Sequence, residues 1–87
     1  SITNRLFSSQ NVSRVTIAQA LLRSGLASSL SEAKRVIEQG GVKINDQKVN
    51  DPKFPLKSLI KGSEFTIQRG PLRIVKIKIA GLRNNVI

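Results

Sequence analysis

The sequence predicts an α+β fold in which two short packed helices precede a small, mainly antiparallel sheet. Three observations support this prediction: a capped amphipathic segment over residues 29–39, a tight hairpin pattern over residues 42–49, and a pair of alternating segments over residues 64–79. The 87 residues are enough for one domain with a modest core. We therefore expect a single folded domain over residues 15–80.

The two ends of the chain lack a regular apolar pattern. Residues 1–14 are rich in Ser and Asn, with the apolar pair Leu6-Phe7, and this composition predicts a linker or a loosely docked N-terminal arm. Residues 81–87 are predicted to form a short C-terminal tail.

Two helices are predicted from their start and stop signals. Thr16 is a good helix cap and Gly25 a good helix terminator, so a first short helix lies between them. Ser29 and Glu32 have capping-box spacing, in which the hydroxyl accepts from an early helix N–H and the carboxylate reaches back to the cap. The second helix ends at Gly40, and its apolar stripe consists of Leu30, Ala33, Val36 and Ile37.

Alternating residues predict two hairpins. In the first, Lys43 and Lys48 lie opposite the apolar side, and Asn45-Asp46 forms the turn. A loop over residues 53–61 follows, which we expect to be pinned by Phe54, Leu56, Leu59 and Ile60. Residues 64–68 and 72–79 then form two strands. Lys76 and Lys78 share the outer face of the last strand, which is a common way to protect a sheet edge.

The charge balance indicates a polyanionic partner. Fifteen Lys and Arg against five Asp and Glu give a formal net charge of +10, which favours nucleic acid. We do not expect membrane binding, because the basic residues are spread over several elements and do not follow one long amphipathic helix. Cys and His are absent, which excludes disulfides, Cys/His zinc sites and thiol or imidazole catalysis. The acids show no catalytic pairing, so we expect no catalytic, metal or cofactor site in this domain.

The candidate binding surface consists of basic and hydrogen-bonding residues on the second helix and the first hairpin. A single exposed Lys or Arg is usually ordinary solvated charge, but here only two acids, Glu32 and Glu38, interrupt the helix, and the hairpin adds two lysines. Such a surface suits phosphates. We predict that Lys34 and Arg35 lead RNA binding, with support from Ser31, Lys43, Asn45, Lys48, Arg14 and Arg23.

The aromatic content favours folded RNA over single strands. The only aromatic residues are Phe7, Phe54 and Phe65, and Phe65 has a core-facing position in its strand. Base stacking is therefore not expected to dominate, whereas folded RNA is recognised largely through its shape and backbone. A DNA-binding helix-turn-helix is a competing interpretation of the two helices, and the composition does not exclude it.

One part of the chain resembles a known RNA-binding motif. The motif is the alpha-L RNA-binding motif named after small-subunit ribosomal protein S-four, and the residues similar to it are Gly25-Leu26-Ala27-Ser28-Ser29 and Ser31-Glu32-Ala33-Lys34-Arg35-Val36-Ile37-Glu38-Gln39-Gly40-Gly41-Val42-Lys43-Ile44-Asn45. Altered forms of that family's following turns stand at Asp51-Pro52 and Lys61-Gly62-Ser63-Glu64. The segments Phe65-Thr66-Ile67-Gln68-Arg69-Gly70 and Ile74-Val75-Lys76-Ile77 are similar to the last hairpin of bacterial-type tyrosyl-tRNA synthetases.

The sequence departs from the family pattern in two places. Thr16-Ile17-Ala18 stands where many members have Arg-Leu-Asp, so a basic contact is not carried over to Thr16. Asp46 replaces the glycine of the usual Asn-Gly turn, and it must therefore adopt a left-handed conformation.

The resemblance implies that residues 15–80 are the C-terminal RNA-binding domain of a bacterial-type or mitochondrial tyrosyl-tRNA synthetase. Such a domain would grip folded tRNA(Tyr) between the anticodon stem and the long variable arm. Catalysis with ATP and Mg²⁺ would lie in another domain of a homodimeric parent enzyme, and the isolated domain is expected to be a non-catalytic monomer. The alternative is the same module in a pseudouridine synthase or a ribosome-associated protein that binds rRNA. Charge and composition lead us to expect the mitochondrial matrix, with the bacterial cytoplasm as the alternative.

Overall fold

A computed structural model describes residues 2–80, and they form the predicted α+β fold. In chain order the elements are β1 (Ile2–Ser8), α1 (Ser9–Arg14), α2 (Ile17–Arg23), α3 (Leu30–Glu38), β2 (Val42–Ile44), β3 (Gln47–Val49), a 3-10 helix (Leu56–Leu59), β4 (Glu64–Arg69) and β5 (Arg73–Ala80). No helix in this range is long and apolar enough to cross a membrane. The predicted tail at residues 81–87 lies outside the described residues.

Helix α2 begins at the predicted cap. The Thr16 hydroxyl accepts from the N–H of Gln19 at 3.3 Å, and the Gln19 side chain accepts from the N–H of Thr16 at 3.0 Å. The next two N–H groups of the helix donate to the carbonyls of Phe54 and Pro52 in the loop after the first hairpin. Because these bonds satisfy helix N–H groups that would otherwise lack a partner, the loop closes over the start of α2.

Helices α2 and α3 pack against each other, as predicted. In α3, Ala33 and Ile37 are fully buried and Val36 is half-buried, which confirms three members of the predicted stripe. Leu30 is 37% exposed, so the buried stripe begins one turn later than predicted.

The five strands form one sheet in the order β1-β5-β4-β2-β3. The pairs β2/β3, β2/β4 and β4/β5 are antiparallel, and β1 is parallel to β5, so the sheet is mainly antiparallel as predicted. The β2/β3 turn has two residues, Asn45 and Asp46, with φ of 51° and 66°. Asp46 thus adopts the left-handed conformation that its position requires.

Alternation along the strands divides the sheet into a buried and an exposed face. The buried face carries Phe7, Val42, Ile44, Val49, Phe65, Ile67, Val75 and Ile77. These side chains form one core with the helical residues, among them Ile17, Leu21 and Ile37. The opposite face carries the exposed lysines at positions 43, 48, 76 and 78.

The N-terminal segment differs from the expected linker or loose arm. Ile2–Ser8 pairs with β5 along its whole length, and Phe7 and Val12 are buried. The ring of Phe7 meets that of Phe65 edge-on, with centroids 6.1 Å apart. The physical reason is that β1 supplies hydrogen bonds to the open side of β5, while Phe7 adds apolar area to the core.

The structure also differs from two smaller predictions, one on the edge of β5 and one on the loop over residues 53–61. Strand β5 is not an edge strand, because β1 covers it, so edge protection does not explain Lys76 and Lys78. Lys76 instead forms an exposed ion pair with Glu64 at 3.1 Å. The predicted loop contains the 3-10 helix, and of its expected anchors Leu56 is fully buried whereas Phe54 is 38% exposed.

Candidate nucleic-acid interface

Helix α3 presents a polar face to solvent. The burial of Ile37 fixes the rotation of the helix, so this face points away from the core. Within residues 2–80, neither Lys34 nor Arg35 forms an ion pair, although Glu38 lies one turn away. The exposed side chains of this face are Ser31, Lys34, Arg35 and Glu38.

Glu32 anchors the start of α3. Its N–H donates to the Ser29 hydroxyl at 3.1 Å, which is the predicted cap. A capping box predicts that its carboxylate accepts from the N–H of Ser29. The carboxylate instead accepts from the N–H and the hydroxyl of Ser28, at 2.7 and 2.6 Å. The second carboxylate oxygen accepts from Arg69 at 2.9 Å. The Ser28 bonds, and then Arg69, lower the pKa of Glu32 from 4.5 to about 2.

The β2/β3 hairpin places two cations side by side. Lys43 and Lys48 are paired directly across the two strands, and both are exposed. Directly opposed side chains in such a pair have Cβ atoms roughly 4.5–5.5 Å apart, and like charges at that separation destabilise the hairpin. Neither lysine forms an ion pair in the described part of the chain. A bound polyanion would remove this repulsion.

The end of α3 and the hairpin meet at Gly40. A Cβ added to Gly40 would lie 2.8 Å from Cε of Lys48, so the lysine stem occupies the space that a side chain would fill. Gly40 also has a φ of 79°, which favours glycine. Beside it, Gly41, Lys43, Gln68 and Gly70 line a shallow cleft. The Lys48 stem thus lies next to the C-terminal end of α3, and Lys43 lies opposite Lys48 in the hairpin.

Asn45 has a role that the sequence prediction did not include. Its side-chain N–H donates to the carbonyl of Leu59 at 3.3 Å, and its side-chain oxygen accepts from the N–H of Thr66 at 3.1 Å. Both polar ends are thus engaged within the protein. Asn45 holds the hairpin turn against the 3-10 helix and β4.

Arg14 and Arg23 are exposed but lie on other elements than Lys34 and Arg35. Arg14 ends α1, which packs against the 3-10 helix, β1 and β5. Arg23 is in the last turn of α2, two residues before Gly25. Arg14 and Arg23 therefore lie outside both α3 and the β2/β3 hairpin, which carry the other predicted cations.

Three further arginines lie around the α2-α3 loop, and the sequence analysis did not select them. Arg69 donates to Glu32 and, at 2.6 Å, to the carbonyl of Leu26. Arg73 and Arg5 approach Gly25. The sequence does indicate the side on which two of them lie. Period-two alternation places Arg69 and Arg73 on the same side of their strands as Phe65 and Val75, which are buried.

Metal binding finds no support in residues 2–80. No three carboxylate side chains there are grouped closely enough to hold an ion. With His and Cys absent from the sequence, the site consists of cations, hydroxyls and amides.

Comparison with known proteins identifies the family. The profile of the S4 domain matches residues 15–58, about half of the chain. The chain belongs to the S4 domain family. The matched part of this S4 domain contains α2, α3 and the β2/β3 hairpin, and therefore Lys34, Arg35, Lys43 and Lys48.

The similar proteins are tyrosine-tRNA ligases. Those of Nitrosospira multiformis, Leifsonia xyli and Legionella pneumophila strain Paris are 43%, 46% and 37% identical over 63, 57 and 68 residues. The alignments cover 72%, 64% and 78% of this chain but only 15%, 13% and 16% of those proteins. These findings confirm the resemblance to the S4-type domain of tyrosyl-tRNA synthetases.

Proposed function

We propose that this S4 domain is the C-terminal tRNA-binding module of a tyrosyl-tRNA synthetase. It grips folded tRNA(Tyr) near the anticodon stem and the long variable arm. The observation that carries the proposal is the surface of Lys34, Arg35, Lys43 and Lys48, which are exposed and not ion-paired among the residues described. The family and its tyrosine-tRNA ligase relatives support the choice of tRNA.

The surface is organised before RNA arrives. α3 is fixed by its cap and its buried stripe, and the hairpin is fixed by Asn45 and by the contact of Lys48 with Gly40. Binding therefore loses little backbone entropy, and the cost falls on the lysine and arginine side chains. Contacts of this kind position phosphates and do not read base edges.

The aromatic residues support a folded target. Phe7 and Phe65 are buried against each other, and only Phe54 offers part of its ring to solvent. Successive unpaired bases would find no stacking platform in the described part of the domain. Phosphates held at fixed positions by a folded RNA corner match the rigid helix and hairpin better.

The proposal extends to the parent enzyme. In it, ATP and Mg²⁺ act in a separate catalytic domain, and this domain contributes binding only. The parent is a homodimer, while the isolated domain is a monomer. The net charge of +10 and the Asn, Ser, Ile and Lys content support the mitochondrial matrix as its location, with the bacterial cytoplasm as the alternative.

Titration with a bacterial tRNA(Tyr) transcript at several salt concentrations tests the proposal. The double variant Lys34→Ala with Arg35→Ala should flatten the plot of log affinity against log salt by roughly 1–2 units, because each cation neutralises about one phosphate. Lys53→Ala with Lys61→Ala removes the same charge from exposed loop positions and serves as the matched control.

Competition experiments test the choice of RNA. The tRNA should displace an unstructured strand of equal length from the chain. Equal affinity for both RNAs, or a salt slope that the Lys34 and Arg35 changes leave at the control value, would overturn the proposal. Stronger binding to an rRNA fragment than to tRNA(Tyr) would assign the module to rRNA.

A further inference from the structure

We propose that Arg5 and Arg73 form a second phosphate-binding site for RNA, located at the α2-α3 loop. The site depends on the proposed RNA-binding function, but it uses none of the residues on α3 or the hairpin. It would let the domain hold two separate stretches of one RNA backbone.

Two guanidinium groups converge on one glycine. Nη2 of Arg73 lies 3.4 Å from the carbonyl oxygen of Gly25, at the outer limit of a hydrogen bond. A Cβ added to Gly25 would lie 2.9 Å from Nη2 of Arg5. Arg5 is on β1 and Arg73 begins β5, so two strands deliver the two cations to the same point. Together with Ser24, Leu26 and Leu72 they line a shallow cleft.

The charge at this cleft is not balanced by acids. None of the residues that line this cleft is acidic, and Glu32 lines the adjoining cleft. Glu32 is already bound to Arg69 and Ser28. Within residues 2–80, Arg5 and Arg73 form no ion pair. Two neighbouring guanidinium groups without an acidic partner repel each other. An anion bound between them would attract both groups and so offset this repulsion.

A phosphodiester is the anion that suits this cleft best. Arginine presents a planar fork of donors that bonds phosphate oxygens in pairs, so two arginines can hold one phosphate firmly. Leu72 is 75% exposed at the rim and offers apolar contact to the ribose or base attached to that phosphate. The cleft is open to solvent, as a continuous RNA backbone requires.

The variant Arg5→Gln with Arg73→Gln tests the site on the whole 87-residue chain. With the tRNA(Tyr) transcript we expect about 10-fold weaker binding at 0.1 M salt, and a salt slope smaller by roughly 1–2 units. The control Lys53→Gln with Lys61→Gln removes the same charge and should weaken binding by less than about 3-fold. Far-UV circular dichroism establishes that each variant is folded.

Ethylation interference gives a second measurement, made on the wild-type complex and on the Arg5/Arg73 variant. Two separate groups of phosphates should interfere with binding, and the Arg5/Arg73 variant should lose sensitivity in one group only. A single group in the wild type would overturn the second site, as would an Arg5/Arg73 variant that binds like its control while Lys34 and Arg35 still matter. Absence of any tRNA binding by the wild type would overturn the proposed function as well.

Discussion

Glu32 joins the start of α3 to the loop before it and to the distant strand β4. Its N–H donates to the capping hydroxyl of Ser29, one carboxylate oxygen accepts from Ser28, and the other accepts from Arg69 of β4. The side chains of Glu32 and Arg69 are 23% and 25% exposed, so either charge alone would be only partly hydrated. The position of α3 on the sheet therefore depends on this carboxylate remaining ionised.

We predict that Glu32→Gln lowers stability in a pH-dependent way. The folded chain binds the Glu32 proton more weakly than the unfolded chain, since its pKa falls from 4.5 to about 2. The stabilisation is therefore complete above about pH 5 and is lost as the pH falls toward 2. Urea unfolding at pH 7 should show a lower midpoint for the variant, and the difference from wild type should vanish near pH 2.

Glu38→Gln provides the matched comparison for this prediction. Glu38 lies on the same helix, is exposed, and forms no ion pair in the part of the chain described. Its change should shift the midpoint little at either pH. A Glu32 variant that behaves like the Glu38 variant at pH 7 would show that the carboxylate does not anchor the helix.

At the level of elements, we predict different costs for changing the two residues of the hairpin turn. Asn45 and Asp46 are both left-handed, but the side-chain hydrogen bonds to Leu59 and Thr66 come from Asn45. Asp46→Ala keeps the Cβ but removes the short polar side chain that makes a left-handed conformation tolerable, which costs about 1 kcal/mol. Asn45→Ala adds the loss of two hydrogen bonds, so it should cost about 1–2 kcal/mol more. Urea unfolding of both variants measures the difference, and equal costs would contradict the bridging role.

The helices and hairpins could be predicted because their signals are local. Thr16 and Ser29 cap, Gly25 and Gly40 terminate, and alternation over β2 to β5 identifies the buried face. Each signal spans fewer than about ten residues, which is the range over which periodicity is informative.

Strand β1 could not be predicted in the same way. Thr3, Arg5 and Phe7 alternate along one side of this strand, and two of the three are polar in sequence, so no apolar alternation marks the segment. Its partner β5 lies about seventy residues away in the sequence and pairs with it in parallel. Only the assembled sheet shows that the edge of β5 opposite β4 is open for pairing with another strand.

The parts of the candidate site that depend on one helix or one hairpin could be predicted from the sequence, and the long-range contacts could not. Exposure of Lys34, Arg35, Lys43 and Lys48 followed from the period of α3 and the alternation of the hairpin. The contact between Arg69 and Leu26 joins residues 43 positions apart, and that between Arg73 and Gly25 joins residues 48 positions apart. Such contacts depend on how α3 lies across the sheet, and no local pattern encodes that arrangement.

At the scale of the whole molecule, three regions of exposed cations are relevant here among residues 2–80, and further exposed cations such as Arg14, Arg23, Lys53 and Lys61 lie outside them. One is the α3 face with the adjoining hairpin, the second is the α2-α3 loop with Arg5 and Arg73, and the third is the outer sheet face with Lys76 and Lys78. Lys76 is already paired with Glu64. We assign RNA binding to the first two regions, and the second of them requires β1 to be part of the domain.

Two adjacent residues of β1 can show whether this strand is a docked part of the domain. Phe7 is 5% exposed and packs on Phe65, whereas Leu6, on the opposite side of the strand, is 69% exposed. Phe7→Ala should cost about 3–5 kcal/mol, because it removes a buried ring and leaves a cavity. Leu6→Ala should change the free energy of unfolding by about 0.5 kcal/mol or less.

Urea unfolding of the two variants separates a docked strand from a linker. If residues 1–14 were a loose arm, both side chains would be equally hydrated, and both variants would unfold at the wild-type midpoint. A cost confined to Phe7→Ala would mean that β1 is held in its register on β5, where Arg5 pairs with Ile77 and its side chain reaches Gly25. Loss of that register would also weaken tRNA binding in the same way as Arg5→Gln, since the second phosphate site exists only while β1 is docked.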